Sequence, residues 1–220
     1  MNDDRAFDEL RTGFTAAVSH ELRTPLARIL ALLDNATLPG ADTQALIDQA
    51  RDEVESAGQL IDEILFLSEL ESGREVVALA SMEARPVLDE VAASFTDAAA
   101  RAGVTIAVTG ETELPLRPRM LRIVAENLVE NAIRYAGHGA TLRLELAPAL
   151  LVACDDGIGV REAEVPRLFE RFYRADAARS TRGTGLGLAI VKHIVASAGG
   201  TVEARSSRGA GLEIRCAFAR

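Results

Sequence analysis

The sequence predicts two domains of different class: an all-α helical hairpin that pairs with a second copy into a four-helix bundle, then an α/β sandwich. Three observations carry this: the helical apolar period of residues 3–72, a change of pattern near residue 74, and glycine clusters confined to the second half. With 220 residues the chain has room for one or two domains.

Residues 3–72 read as two long helices. In the first, Phe7, Leu10, Phe14 and Ala17, then Leu26, Ile29, Leu30 and Leu33, recur at threes and fours; Leu46, Ala50, Val54, Ala57, Ile61, Ile64 and Leu67 do so in the second. Pro39 and Gly40 punctuate the turn between them, and Asp42 or Thr43 suits the cap of the second helix. Each helix would run on the order of 50 Å. A hairpin that long, with one apolar stripe, covers only part of its stripe. Pairing two hairpins covers the rest, and the helix length favours this over packing of the hairpin against the rest of its own chain, so the expected assembly is a homodimer.

Gly73 closes the first half, which puts the boundary at 73–76 and the domains at 1–73 and 76–220. Beyond it the pattern alternates. A helix over 85–102 is followed by a β-type run at 104–109 and a helix opening at Pro118. Strands at 142–146 and 150–154, a helix over 187–198, and strands at 201–204 and 212–217 complete the order. That order suits helices laid on one face of a sheet.

The formal charge of −9 excludes non-specific nucleic-acid binding, because a polyanion is repelled at long range. Cys154 and Cys216 sit in strand-like apolar runs without metal-type spacing; they read as small buried hydrophobes and suit a reducing compartment. The longest uncharged apolar stretch, 146–154, is far shorter than the roughly 20 residues of a membrane span, and no signal peptide opens the chain. The expectation is a cytoplasmic segment with no membrane contact of its own, any anchor or sensor module lying outside these residues.

Three glycine clusters fall in the second half: DDGIG at 155–159, GTGLG at 183–187 and GAG at 209–211. None matches a P-loop or a dinucleotide fingerprint, and the eukaryotic-type protein-kinase set is absent. GTGLG opens a helix, where glycines admit a close ligand and unpaired N–H groups attract an anion. Alone, it fits a glycine turn before a helix equally well. Upstream, Asn127 and Asn131 are four apart on one face of a largely apolar helix, with Arg134 and Tyr135 within the next turn. Two amides there need polar partners, which a hydrated Mg²⁺ on a triphosphate would supply. Residues 160–182 form a long connection of lid type containing LFERFYRAD; its Arg171, Arg174, Arg179 and Arg182 could reach phosphates, or simply line a solvated loop.

Of three histidines, His138 in a glycine-flanked turn and His193 on the last helix read as structural or surface residues. His20 differs in its setting, FTAAVSHELRTPL. Pro25 sits inside the helical pattern, where it costs roughly 3 kcal/mol and removes a hydrogen bond to residue 21; the expected bend is a hinge. Ala16 and Ala17 one turn before His20 leave the imidazole accessible, and Arg23 and Thr24 follow one turn after. A neutral imidazole is a competent nucleophile toward phosphorus, and Glu21 could take the proton of the other ring nitrogen. An isolated helical histidine, however, is more often a surface residue than a catalyst.

SHELRTPL, NLVENAIRY, DDGIG, LFERFYR and GTGLGLAI occur in one order over residues 14–217. Together they resemble the sensor histidine kinases of two-component systems, in the subfamily with H-E-x-x-T at the phospho-acceptor. The resemblance implies a dimeric HisKA-type hairpin followed by an ATP-binding domain of the type shared with gyrase, the Hsp90 chaperone and MutL (Bergerat or GHKL fold). It implies ATP and Mg²⁺ as cofactors, a response-regulator receiver domain as partner, and a cytosolic position beneath a membrane-anchored sensor. By that resemblance His20 accepts the phosphoryl group, Glu21 is its general base, and Thr24 helps place water for dephosphorylating the partner. Asn131 holds Mg²⁺ with Asn127 contributing; Asp155 reads the adenine amino group, and Gly157 and Gly159 let the base lie close to the backbone. Arg174 is the lid arginine directed at the γ-phosphate. Gly183, Thr184, Gly185, Leu186 and Gly187 make the lid-to-helix phosphate contacts. Phe169 and Phe172 resemble the aromatic pair that anchors the lid, or are core. Arg134 stands where lysine is common and keeps the charge.

Related ATPases carry a glutamate one turn before the metal-binding asparagine. Here that position is Asn127, a poor base, while Glu126 and Glu130 lie one residue off the face. This disfavours the two rival readings less than equally: a hydrolysing ATPase of the same fold is opposed by Asn127, and a non-catalytic dimeric scaffold by the intact nucleotide motifs.

Overall fold

The N-terminal helical period yields α1 (Asn2–Ala36) and α2 (Thr43–Glu71). A computed structural model describes residues 2–73, 77–175 and 183–219, with side chains for all of these except 2–16 and 78–80. The chain separates into two compact units, 1–68 and 69–220.

In the first unit, α1 continues through Pro25 as one helix. The predicted bend does not interrupt it: one lost hydrogen bond is carried by the long helical stretches on either side. Gly40 supplies a left-handed φ of +81° in the turn. Asp42 caps α2, its Oδ1 accepting from Ala45 N at 3.1 Å, while Thr43 Oγ1 instead donates to Ala36 O at 3.2 Å. Ala50, Leu60 and Leu67 of α2 are buried, as is Glu53, whose carboxylate lies 3.6 Å from Arg28 of α1. Leu26, Leu30, Leu33, Val54, Ile61 and Leu65 remain exposed.

The second unit is a two-layer α/β fold. β2 (Thr105–Thr109), β4 (Thr141–Ala147), β5 (Leu150–Asp155), β6 (Thr201–Ser206) and β7 (Leu212–Ala217) form one sheet in the order β2-β4-β5-β7-β6. β2 runs parallel to β4 and the other neighbours are antiparallel. The alternation expected of a one-sided sheet is clear. Leu142, Leu144, Leu146, Leu151, Ala153, Ile214 and Cys216 are buried, whereas Arg143, Glu145, Glu203, Arg205, Glu213 and Arg215 line the other face. α5 (Pro118–Tyr135) packs against α3 (Arg85–Ser94) and α6 (Gly187–Ser197).

Three features depart from expectation. The single helix over 85–102 is two, α3 and α4 (Thr96–Ala102), broken at Phe95, where Thr96 Oγ1 turns back to Ala93 O at 2.9 Å. β1 (Ala78–Glu83) and β3 (Glu113–Leu116) pair in a separate two-stranded sheet; neither has a β-branched run, and Pro115 lies in β3. Cys216 is fully buried, and burial pushes its thiol up to about 12, but Cys154 is only half-buried, its Sγ 3.8 Å from Arg143 Nη2. Among the described residues no helix is long and apolar enough to cross a membrane.

Candidate functional site

In the first unit the candidate reactive group is an imidazole. His20 lies well inside α1, its side chain 75% exposed. Its Nδ1 is 3.4 Å from Glu21 Oε1, so a proton on Nδ1 faces the carboxylate and the Nε2 lone pair points away from it. Thr24 is exposed one turn on, its Oγ1 donating to His20 O at 3.3 Å. The structure thus gathers His20, Glu21 and Thr24 on one accessible stretch of helix.

The second unit gathers the remaining predicted residues around the end of α5. Pro118 opens this helix with its φ preset, and Leu121, Val124, Ala125, Leu128, Val129 and Ala132 bury its apolar face, leaving 123, 127, 131 and 134 toward one edge. Asn127 Nδ2 donates to Ile123 O at 2.8 Å, and its Oδ1 faces the start of α6: a Cβ on Gly187 would lie 2.3 Å from it. Asn131 is half-buried and its amide has no hydrogen-bond partner among the described residues, which leaves its oxygen available to a ligand. Arg134 pairs with Glu130 at 3.2 Å. Tyr135 Oη would lie 2.5 Å from a Cβ at Gly183.

No side chain caps α6, and Thr184 Oγ1 accepts from Leu186 N at 3.2 Å just before it. The N–H groups of the first turn are therefore not taken up by a capping side chain. Phe172 is tied across the base of the long connection, its N–H donating to Gly185 O at 3.0 Å, with a left-handed φ of 60°. Phe169 and Phe172 are both half-buried rather than core, and Arg174 follows, half-buried as well. Arg171 is engaged by Glu71. Arg167 stacks over the Tyr173 ring at 4.2 Å, a contact the sequence pattern does not announce. Arg179 and Arg182 lie outside the described residues.

Asp155 ends β5 on the buried side of the sheet. Three carboxylates among the described residues are buried: Glu53, Glu164 and Asp155. Glu53 is beside Arg28, and Glu164 takes Arg161 Nε at 3.0 Å. Asp155 has no cation partner among the described residues; Gly157 N donates to its Oδ1 at 2.9 Å and the Leu212 amide donates as well. Burial raises its pKa above the ordinary value, those two amides oppose the rise, and the charge of Asp156 adds to it. A buried acceptor held by two amides, with no cation beside it, is suited to a neutral donor such as an exocyclic amine. Gly157 and Gly159 are required by close approach: their Cβ atoms would lie 2.2 Å from Ala136 O and 2.3 Å from Ser207 O. Glu126, one residue off the asparagine face, also has its pKa raised by burial, opposed by Arg122.

Sequence reasoning assigned no role to the carbonyl of Ala136, to Ser206 or to the GAG cluster at 209–211, all of which touch the 155–160 loop. The glycines at 209 and 211 were the visible signal. Backbone contacts carry the rest and leave no mark in side-chain identity.

Two family models match: the His Kinase A (phospho-acceptor) domain over residues 10–73, and the histidine kinase-, DNA gyrase B- and HSP90-like ATPase over 117–220. The sensor protein IrlS of Burkholderia pseudomallei is 33% identical over 90% of this chain and 44% of its own length. The phosphate regulon sensor protein PhoR of Pseudomonas aeruginosa is 34% identical over 96% of the chain and 51% of its own length. The chain spans about half the length of the curated relatives it matches. Among solved structures, the Acinetobacter baumannii histidine kinase AdeS shares the fold with a TM-score of 0.72 at 23% identity, covering 91% of this chain and 98% of that one. The histidine kinase ThkA, solved in complex with the response regulator protein TrrA, gives 0.73 at 18% identity over 97% and 63%. An exposed histidine on a helical hairpin, an α/β unit built around paired asparagines and an unpaired buried aspartate, and these matches together place the chain among the sensor histidine kinases of two-component systems.

Proposed function

We propose that the chain transfers the γ-phosphoryl group of ATP to His20, then to an aspartate of a response-regulator receiver domain. Residues 1–73 act as the dimerisation and phospho-acceptor domain and 76–220 as the catalytic ATP-binding domain. One observation carries the reading: an imidazole 75% exposed whose Nδ1 faces Glu21, leaving Nε2 as the nucleophile. Nε2 attacks the γ-phosphorus as the bond to the β–γ bridging oxygen breaks; ADP departs, and the Nδ1 proton passes to Glu21. The second unit must therefore present the γ-phosphate to His20.

Within that unit Asp155 accepts from the adenine amino group, and Gly157 and Gly159 admit the ring. The amides at Gly183–Gly187 meet the phosphates, together with Arg134, Tyr135, Thr184, Leu186 and Arg174. Asn131, whose amide has no partner among the described residues, fits a Mg²⁺ that is held mostly by phosphate oxygens and water; the ion, when bound, neutralises charge on the phosphates. Asn127, tied to Ile123 O, holds the start of α6 in place and is a poor base for water. Solved structures support the nucleotide reading: ShkA, in complex with AMPPNP, has a TM-score of 0.65 at 25% identity, over 93% of this chain and 46% of that one.

The exposed row Leu26, Leu30, Leu33, Val54, Ile61 and Leu65 supports a homodimer through the hairpin. Thr24, exposed one turn from His20, supports phosphatase activity toward the regulator.

The test is incubation with γ-labelled ATP. The expected product is acid-labile, base-stable label on the protein, abolished by His20→Ala. Free phosphate without protein label would favour an ATPase instead; neither product would favour a scaffold.

A further inference from the structure

The GAG turn between β6 and β7 has no role in the proposed chemistry, yet it backs the adenine loop. We infer that Ser206 is a positioning residue: its hydroxyl fixes the 155–160 loop so that Asp155 and Gly159 keep the shape that reads adenine. The inference rests on the reading of Asp155 given above.

Ser206 ends β6, in register with Leu212. Its Oγ donates to Gly211 O at 2.6 Å and accepts from Val160 N at 2.9 Å. One proton and one lone pair of a single hydroxyl are used, in the only sense that both partners allow. A carbonyl of the β6–β7 turn is thereby linked to an amide of the adenine loop.

Elsewhere Asp155 Oδ1 accepts from Gly157 N at 2.9 Å and Asp156 Oδ1 from Thr141 N at 2.6 Å, and main-chain bonds hold the flanks. Gly209 N donates to Ile158 O at 2.8 Å, and Ile158 N to Ala136 O at 2.9 Å. The loop is thus clamped between the end of α5 and the 206–211 turn. Clearance is close on the turn side: a Cβ on Gly159 would lie 2.3 Å from Ser207 O, 2.8 Å from Gly211 O and 3.0 Å from Ser206 Oγ. Gly211, at φ +76°, leaves no room either, since a Cβ would be 1.8 Å from Asp155 O. On the turn side, Ser206 is the side chain whose hydrogen bonds join the loop to the turn.

Deleting the hydroxyl leaves the half-buried Val160 amide and the carbonyl of buried Gly211 without this partner, and the loop relaxes at the point where the base would lie. The nucleotide contacts are lost in ground state and transition state alike. The signature is a weaker KM with kcat preserved.

The experiment compares Ser206→Ala, Ser206→Thr and Ser206→Val in the whole chain. The measurements are ATP and GTP affinity by calorimetry, KM and kcat for phosphorylation of His20, and exchange protection of the Val160 amide. The expected result for alanine and valine is ATP affinity about 10-fold weaker, the scale of an indirect loss that loosens the loop without removing a nucleotide contact. The same two variants should show a reduced preference for ATP over GTP, kcat within about 2-fold of the parent and an unprotected Val160 amide. Threonine, which keeps the hydroxyl, should restore all three. ATP affinity unchanged in Ser206→Ala, or an equal loss in Ser206→Thr and Ser206→Val, would overturn the inference. If Ser206→Ala does not fold, the threonine and valine pair, equal in shape, decides alone; a valine variant that also fails to fold while threonine behaves as parent makes the hydroxyl a stability element and overturns it too. A parent chain with no preference for ATP over GTP would instead sink the role of Asp155, and is read before any variant.

Discussion

The two units solve the problem of burial in opposite ways. The α/β unit covers its own core: Leu88, Leu114, Met120, Leu121, Leu144, Leu151 and Leu186 are fully buried, and among its described residues one large apolar side chain, Ile158, is exposed. That exception sits in the DDGIG loop, where an apolar wall beside a base has a use. The hairpin leaves Leu26, Leu30, Leu33, Leu38, Ile47, Val54, Ile61 and Leu65 in solvent. Two long antiparallel helices have too little mutual surface to cover a stripe as wide as theirs. One unit is therefore thermodynamically self-contained and can serve as a precise binding site. The other leaves an apolar stripe uncovered, which on the proposed reading a second copy completes, presenting His20 on a bundle.

The sharpest way to break that contrast is Leu30→Asp. Leu30 is 63% exposed in the single chain, so the substitution would cost a monomer almost nothing. In a paired bundle it buries an unpartnered carboxylate, worth about 3 kcal/mol or more. The expected outcome is a dimer that dissociates in sedimentation velocity, with ATP affinity of the second unit unchanged. A variant that stays dimeric would remove the stripe from the interface.

Asp155→Asn probes the other unit, with a somewhat smaller effect. The amide keeps an oxygen for Gly157 N but presents a donor as well, and ATP affinity should fall roughly 100-fold. Stability should move the opposite way. Burial raises the folded pKa of this carboxyl, so ionising it costs the folded state more than the unfolded one. The cost is absent below the ordinary carboxylate range, develops as pH rises through the raised pKa, and is complete above it. Asp155→Asn should therefore raise the unfolding midpoint at pH 7. The parent should lose ATP affinity as pH is lowered, starting above the range of an ordinary carboxylate. An ordinary midpoint in that titration would separate Asp155 from adenine recognition.

The same contrast governs what was legible in the sequence. The hairpin was readable almost entirely, because apolar residues at threes and fours leave one solution for a long segment. In the α/β unit the main sheet was readable from alternation, as in Leu142, Leu144 and Leu146 against Arg143 and Glu145. What escaped is held by main chain. The break at Phe95 has neither glycine nor proline to announce it. β1 and β3 owe their pairing to each other rather than to propensity. At the site, the types and spacing of Asn127, Asn131 and Asp155 were visible, but not that Ala136 O and the 206–211 turn clamp the loop between them. A carbonyl contact is the same whatever the side chain, so only the glycines it forces could record it.

Those glycines give the finest test, because the two units make opposite demands of the same substitution. Gly58 lies on α2 with nothing within 4 Å of its missing Cβ. Gly58→Ala adds helix propensity without a clash and should stabilise by about 0.5–1 kcal/mol. Gly157→Ala places a methyl 2.2 Å from the Ala136 carbonyl, main chain at the end of a packed helix that cannot swing aside. The loop must move instead, at a cost of about 1–3 kcal/mol, with weaker ATP binding as the loop carries Asp155 with it. Thermal unfolding and nucleotide titration of the two variants side by side should show opposite shifts in midpoint, and an affinity change in Gly157→Ala alone. If both alanines raised the midpoint, the loop would be free of the α5 terminus, and the clamp that distinguishes the nucleotide unit from the hairpin would not exist.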